Sequence, residues 1–177
     1  MTKDGIWTID NRKEKKLLRK KLADFDFQKW GKKEISELVK KMKEIMLAAN
    51  GIGLAANQIG LDARVFVAQL PQAQIHAENT QTNAESRRKS ALGQRQSASG
   101  KFYAIFNPEI IKFSDKKVSI EEGCLSVPGG HYGDVDRPEK ITLIGFDKNE
   151  KKLKIKAWGR LARVLQHEVD HLNVPFF

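Results

Sequence analysis

Seven residues near the C-terminus, Gln166-His167-Glu168-Val169-Asp170-His171-Leu172, restrict the fold of this chain more than any other stretch. They read H-E-x-x-H. Side chains at i and i+4 leave a helix from one face, so a helix here brings His167 and His171 together with their rings able to share one cation. Glu168 follows about 100° round the same helix, near enough to reach a water on that cation. The residue types match the chemistry: two neutral imidazoles to grip a metal and one carboxylate to move a proton. The alternative is an amphipathic helix with two incidental histidines. It has to place two of the chain's four His at this spacing around a glutamate.

A metal site of this kind needs a third protein ligand and leaves a fourth position for water. Cys124 is the only cysteine. It lies between Gly123 and Leu125-Ser126-Val127-Pro128, where a strand end can present a thiolate. A buried structural cysteine is the competing reading, and the histidine helix favours the ligand. One cysteine excludes an internal disulfide and suits a reducing compartment, so the expected location is cytoplasmic. The first residues lack an apolar leader, and no apolar run is long enough to span a bilayer, so no membrane contact is expected.

The rest of the chain builds a scaffold for that helix. Ile35, Leu38, Val39, Met42, Ile45 and Met46 recur at helical spacing between lysines and glutamates, which predicts an amphipathic helix near the N-terminus. Gly31 is its N-cap, with Glu34 at the third position, and Asn50-Gly51 stops it. The two methionines are core filler. Upstream, Leu17, Leu18 and Leu22 cover a core edge, and Phe25, Phe27 and Trp30 anchor a basic arm.

Gly51 to Gly60 is either a plain turn or a place of close backbone approach to a ligand or strand. Gln58 offers an amide donor there. It is no phosphate loop, since the P-loop lysine is absent. Ala63–Leu70 reads as a buried strand. Phe102–Phe106 reads as another, ended by Asn107-Pro108, and Val118-Ser119-Ile120 starts a third. Ile141–Phe146 and Leu153–Ala157 form a hairpin around Asp147–Glu150. Gly159 opens the last helix, with Leu161, Val164, Leu165 and Leu172 toward the core.

The expected architecture is α+β, with short antiparallel or mixed strands around the C-terminal H-E-x-x-H helix, in one domain over 1–177. Residues 71–100, rich in Gln, Asn, Ser, Ala and Arg, have too few apolar anchors to offset the entropy of ordering, and read as a mobile insertion. The net charge of +10 admits weak contact with RNA. The lysines are scattered, however, and most of each run is a solvated face.

Three segments together resemble the peptide deformylase family: Gly51-Ile52-Gly53-Leu54-Ala55-Ala56-Asn57-Gln58, Glu122-Gly123-Cys124-Leu125-Ser126, and the Gln166–Leu172 stretch. They agree with the family in identity and order. The resemblance implies a hydrolase that removes the N-formyl group from the methionine of nascent chains and releases formate. Cys124, His167 and His171 would hold one divalent ion, ferrous iron in the family, with zinc, nickel or cobalt able to replace it. Glu168 would take a proton from water, and the Leu125 backbone N–H and Gln58 amide would face the developing oxyanion. Ile52 and Gly53, with Gly129 and Gly130 opposite, would pair with the substrate as an added strand. The methionine pocket would lie near Ile52, Ile120, Val164 and His167.

The chain departs from the family at three places. Asn57 replaces a common proline, a change expected to alter only local stiffness. Gly130-His131-Tyr132 stands where many bacterial relatives carry an arginine, with His131 expected at the pocket rim. Val174 replaces a usual glycine, and the sequence stops at Phe177, so a ribosome-docking C-terminal helix is not carried over. Two other readings are a metallopeptidase of another H-E-x-x-H class, which gives Cys124 no role, and a catalytically idle relative, which tolerates loss of Glu168.

Overall fold

The computed structural model describes residues 5–70, 100–127 and 133–173. Its elements are α1 (Arg12–Leu18), a 3-10 turn (Phe27–Lys29), α2 (Lys32–Ala48), β1 (Gly53–Ala55), a second 3-10 turn (Ala56–Ile59), β2 (Val65–Gln69), β3 (Phe102–Phe113), β4 (Lys117–Glu122), β5 (Gly133–Pro138), β6 (Lys140–Phe146), β7 (Lys152–Trp158) and α3 (Gly159–Asn173). One five-stranded sheet runs β1-β2-β3-β6-β7, and β4 and β5 form a separate two-stranded sheet. Every strand pair in both sheets is antiparallel.

At β2 the five-stranded sheet is covered on both faces. Alternate residues of a strand point to opposite sides. In β2, Phe66 and Ala68 join Leu165, Val169 and Leu172 of α3, while Val65 and Val67 join Val39, Met42 and Met46 of α2. A strand with both faces covered has no polar alternation, which is why the sequence there reads as a nearly continuous apolar run. The α+β architecture is therefore the one expected from the sequence.

Helix α2 starts as anticipated: Gly31 is the N-cap and donates its N–H to Glu34 Oε2 at 2.7 Å. Asn50, with φ of 54°, turns the chain out of it. Helix α1 was not foreseen. Asn11 caps it by accepting from the Lys13 and Glu14 backbone N–H groups.

The stop assigned at Asn107-Pro108 is corrected, because β3 continues to Phe113. The register against β6 shifts between Phe106 and Glu109, and Asn107 takes φ of 47°. The strand therefore absorbs the pair as a bulge, where a proline without an N–H is tolerated. Asn107 also ties the bulge to the N-terminal arm, its side chain accepting from Phe25 N at 2.7 Å and donating to Phe25 O at 3.0 Å. Strand β5 was not foreseen either, since Gly133-Asp134-Val135-Asp136-Arg137-Pro138 carries turn residues and charges. The expected insertion over 71–100 lies outside the described residues, apart from Gly100.

Candidate active site

Helix α3 sets the site. Val164, Leu165, Val169 and Leu172 bury one stripe of it, which fixes its rotation and turns His167 and Glu168 toward a cavity of about 840 Å³. The cavity lies between β1, α3 and the β4–β5 sheet. Ile52, Gly53, Gln58, Ile120, Cys124, Leu125, Val164, His167 and Glu168, all singled out in the sequence, line it. Gly129, Gly130 and His131 lie outside the described residues.

The ligand-type atoms of Cys124, His167 and His171 all lie within 4.8 Å of one another. Cys124 Sγ is 3.5 Å from His171 Nε2. Zinc-type bond lengths at a tetrahedral angle give sulfur–nitrogen edges of roughly 3.5 Å, the length found between Cys124 and His171, so this donor set suits a shared cation. One thiolate and two imidazoles suit iron, zinc, nickel or cobalt far better than magnesium. The two rings lie with centroids 5.0 Å apart in an edge-on arrangement.

Glu122, two residues before Cys124, organises the charges behind the ligands. Its Oε2 lies 3.0 Å from His167 Nδ1. That bond holds the Nδ1–H tautomer and leaves Nε2 for a metal. Arg137 reaches the same carboxylate through Nε at 2.6 Å and Nη2 at 2.9 Å, and Arg163 through Nη1 at 2.6 Å. Burial works against the charged carboxylate, but the hydrogen bonds from His167 and Arg137 prevail and hold its pKa down to about 2.

Arg137 also binds Asp170 at 2.7 Å, and Arg163 donates to the carbonyls of Val118, Ile120 and Val135. The two arginines thereby pin the β4–β5 sheet to α3 and form one wall of the cavity. Sequence reasoning missed both. Arg163 lies one helical turn before His167 and was legible from that spacing. Arg137 was not, because only the β4–β5 pairing, with Val118 opposite Arg137, carries it back toward Glu122.

Glu168 is buried, and burial raises its pKa to about 7. Its Oε2 has no hydrogen-bond partner among the described residues. A buried carboxylate atom of that kind is costly unless something occupies the space before it, which again fits a ligand-bearing site. A Cβ at Gly53 would fall 2.0 Å from Glu168 Oε1. The glycine is therefore required where β1 passes the carboxylate, and this favours close approach over a plain turn for that segment.

Burial depresses His167 basicity, but hydrogen bonds with Cys124 and Glu122 and the charge of Glu168 carry its pKa up to about 10. Burial, with the charge of His167 beside it, holds His171 well below the ordinary histidine value. Gln58 donates from Nε2 to Ser126 Oγ at 3.1 Å and points to Cys124 Sγ at 3.8 Å.

The comparisons agree with this geometry. The family model described as Polypeptide deformylase matches residues 8–177. A peptide deformylase of Wolbachia sp. subsp. Brugia malayi is 41% identical over 140 residues, covering 79% of this chain and 69% of that one. A peptide deformylase of Picosynechococcus sp. is 49% identical over 73 residues, a stretch spanning 41% of this chain and 38% of the relative. The crystal structure of a probable peptide deformylase from Synechococcus phage S-SSM7 superposes with a TM-score of 0.71 at 37% identity, covering 94% of this chain and 92% of that one. A Met-Ala-Ser-bound class I type b peptide deformylase from Acinetobacter baumannii gives 0.74 at 26% identity, covering 97% and 95%. With a family model matched over nearly its whole length and a relative that similar, the chain belongs to the polypeptide deformylase family.

Proposed function

We propose that this chain hydrolyses the formyl amide at the N-terminal methionine of newly made peptides, acting as one catalytic domain. The observation that carries the reading is the meeting of Cys124, His167 and His171 beside the buried carboxylate of Glu168, whose Oε2 has no hydrogen-bond partner among the described residues.

Cys124, His167 and His171 hold one divalent ion, with ferrous iron the expected resident and zinc, nickel or cobalt able to substitute. Bound there, such an ion supplies Lewis acidity, which makes water more acidic and polarises a carbonyl oxygen. Glu168 accepts a proton from the attacking water, a role suited to a carboxyl titrating near neutrality. It returns that proton to the nitrogen as the carbon–nitrogen bond breaks, so the products are formate and a free amine. Gln58 Nε2 and the Leu125 N–H donate to the oxygen that gains charge.

Strand β1 is an edge strand among the described residues, and Ile52, just before it, and Gly53, its first residue, line the cavity. An extended peptide adds there as a further strand. Its methionine side chain enters between Ile52, Ile120 and Val164. The Acinetobacter baumannii relative with bound Met-Ala-Ser supports a peptide of that kind as the ligand.

No helix among the described residues is long and apolar enough to cross a membrane. A thiolate ligand suits a reducing, cytoplasmic setting. Weak contact with ribosomal RNA is assigned to the basic surface. On β7, Lys152, Lys154 and Lys156 alternate on one exposed face and lead to Trp158, beside the Gly159 and Arg160 of the cavity mouth.

The test is anaerobic formate release from formyl-Met-Ala-Ser, comparing the wild type with Glu168→Ala. Turnover by the wild type and its collapse in the variant are expected. Equal activity in both would remove the mechanism.

A further inference from the structure

His171 lies in the last described turn of α3, whose backbone carbonyls bond to groups outside the helix. Remote segments satisfy them. Leu172 O accepts from Leu22 N at 3.0 Å and from Arg64 Nη1 at 3.3 Å. His171 O accepts from Asn57 Nδ2 at 2.7 Å, and the same nitrogen lies 3.5 Å from Leu18 O. Asn57 is fully buried.

The orientation of this amide is decided by its surroundings. Nδ2 faces two carbonyls, and turning the group over would set oxygen against oxygen. Oδ1 is buried without a hydrogen-bond partner among the described residues. An apolar side chain of this size would avoid that cost, so burial alone does not account for an amide here.

The neighbouring residue reaches in the opposite sense. Asn57 and Gln58 belong to one 3-10 turn, and Gln58 donates to Ser126 Oγ and points to Cys124 Sγ. Consecutive side chains of one short turn therefore hold the backbone of His171 and the loop of Cys124.

We propose that Asn57 is a positioning residue for the metal site. Its amide holds the last turn of α3 so that the His171 ring stays within reach of Cys124 Sγ. Without that donor the His171 carbonyl loses its 2.7 Å bond to a fully buried amide, the backbone of that turn shifts, and the ring moves with it. This replaces the expectation that the residue at 57 alters only local stiffness. It rests on the three-ligand reading given above.

The test uses the zinc-loaded protein and its Asn57→Leu and Asn57→Asp variants. Release of zinc to an excess of a colorimetric chelator is followed below the unfolding temperature, alongside kcat and KM for formyl-Met-Ala-Ser. Release about tenfold faster is expected, in the range for losing a group that orients a ligand. The turnover number should fall while KM stays within about twofold, since binding that is equal in ground and transition states is untouched. Val39→Ala, in the α2 core, is the control: it should lower the unfolding midpoint and leave zinc release unchanged.

Wild-type release rates in both Asn57 variants would overturn the proposal. So would faster release that merely tracks the midpoint and is reproduced by Val39→Ala. If Asn57→Asp does not fold, Asn57→Leu, which introduces no buried charge, decides the matter, with Asn57→Ser as the shorter donor between the extremes. A wild type that takes up no zinc would remove this proposal together with the metal reading; a wild type that binds zinc beside indifferent variants removes this proposal alone.

Discussion

Arg163 and His167, one turn apart on α3, bind opposite oxygens of the same carboxylate: Arg163 Nη1 lies 2.6 Å from Glu122 Oε1, and His167 Nδ1 lies 3.0 Å from Glu122 Oε2. One side chain thus couples the wall of the cavity to the orientation of a ligand. Changing Glu122 disturbs both. Glu122→Gln should weaken metal binding about 10- to 100-fold, the usual effect of losing a partner that orients a ligating histidine. It also leaves two buried guanidinium groups poorly matched, which costs about 3–5 kcal/mol. Chelator competition and urea unfolding of the same sample measure the two effects.

Glu168→Gln should lower formate release by about 10² to 10⁴, the range for losing a general base, while the metal remains bound. Metal content after dialysis, read beside the rate, separates this outcome from a damaged site.

The same carboxyl makes a stability prediction for the metal-free protein. Its folded pKa of about 7 lies above the unfolded value. The folded state therefore holds more protons in the interval between them, and stability falls as pH rises through it. Glu168→Gln should raise the unfolding midpoint at pH 8 by a few degrees, roughly what 1 kcal/mol or more brings to a chain of this size. The gain should vanish below the unfolded value, where the wild-type group is protonated in both states. Thermal unfolding at the two pH values checks the sign.

Gly53→Ala places a methyl carbon 2.0 Å from Glu168 Oε1 as that atom now lies. The carboxylate is the element able to move, so the fold should persist while the proton acceptor is displaced. A shift of about 1 Å is enough for a loss on the order of 100-fold. Circular dichroism should be unchanged while kcat/KM drops. Retention of full activity would show that Glu168 works from another position.

Replacing Lys152, Lys154 and Lys156 together by Gln should lower affinity for single-stranded RNA and reduce the steepness of its salt dependence by about 2, at about 0.7 per lost phosphate contact. A matched triple change of Lys33, Lys40 and Lys41 on α2 is the comparison. Two of those lysines already face glutamates, Lys33 with Glu37 and Lys40 with Glu44, both at 3.9 Å. An equal effect from both triples would mean diffuse attraction and no β7 track.

Much of this protein was settled by residue order alone. The i, i+4 spacing of His167 and His171, the alternation that marks α2, the apolar run of β2 and the β6–β7 hairpin are local patterns. Helical and strand periodicity convert them directly into faces and edges. The sequence could also nominate Cys124, because it has no other cysteine. Tertiary structure decided what local pattern cannot carry. It ran β3 through Asn107-Pro108 by a bulge, and it paired β4 with β5 so that Arg137 returns to Glu122. It also set Gly53 against Glu168 and laid Asn57 under the carbonyl of His171 across 114 positions of chain. Those contacts come from elements packing against one another, and a buried polar group takes the partner that packing leaves within reach, however distant it is in sequence.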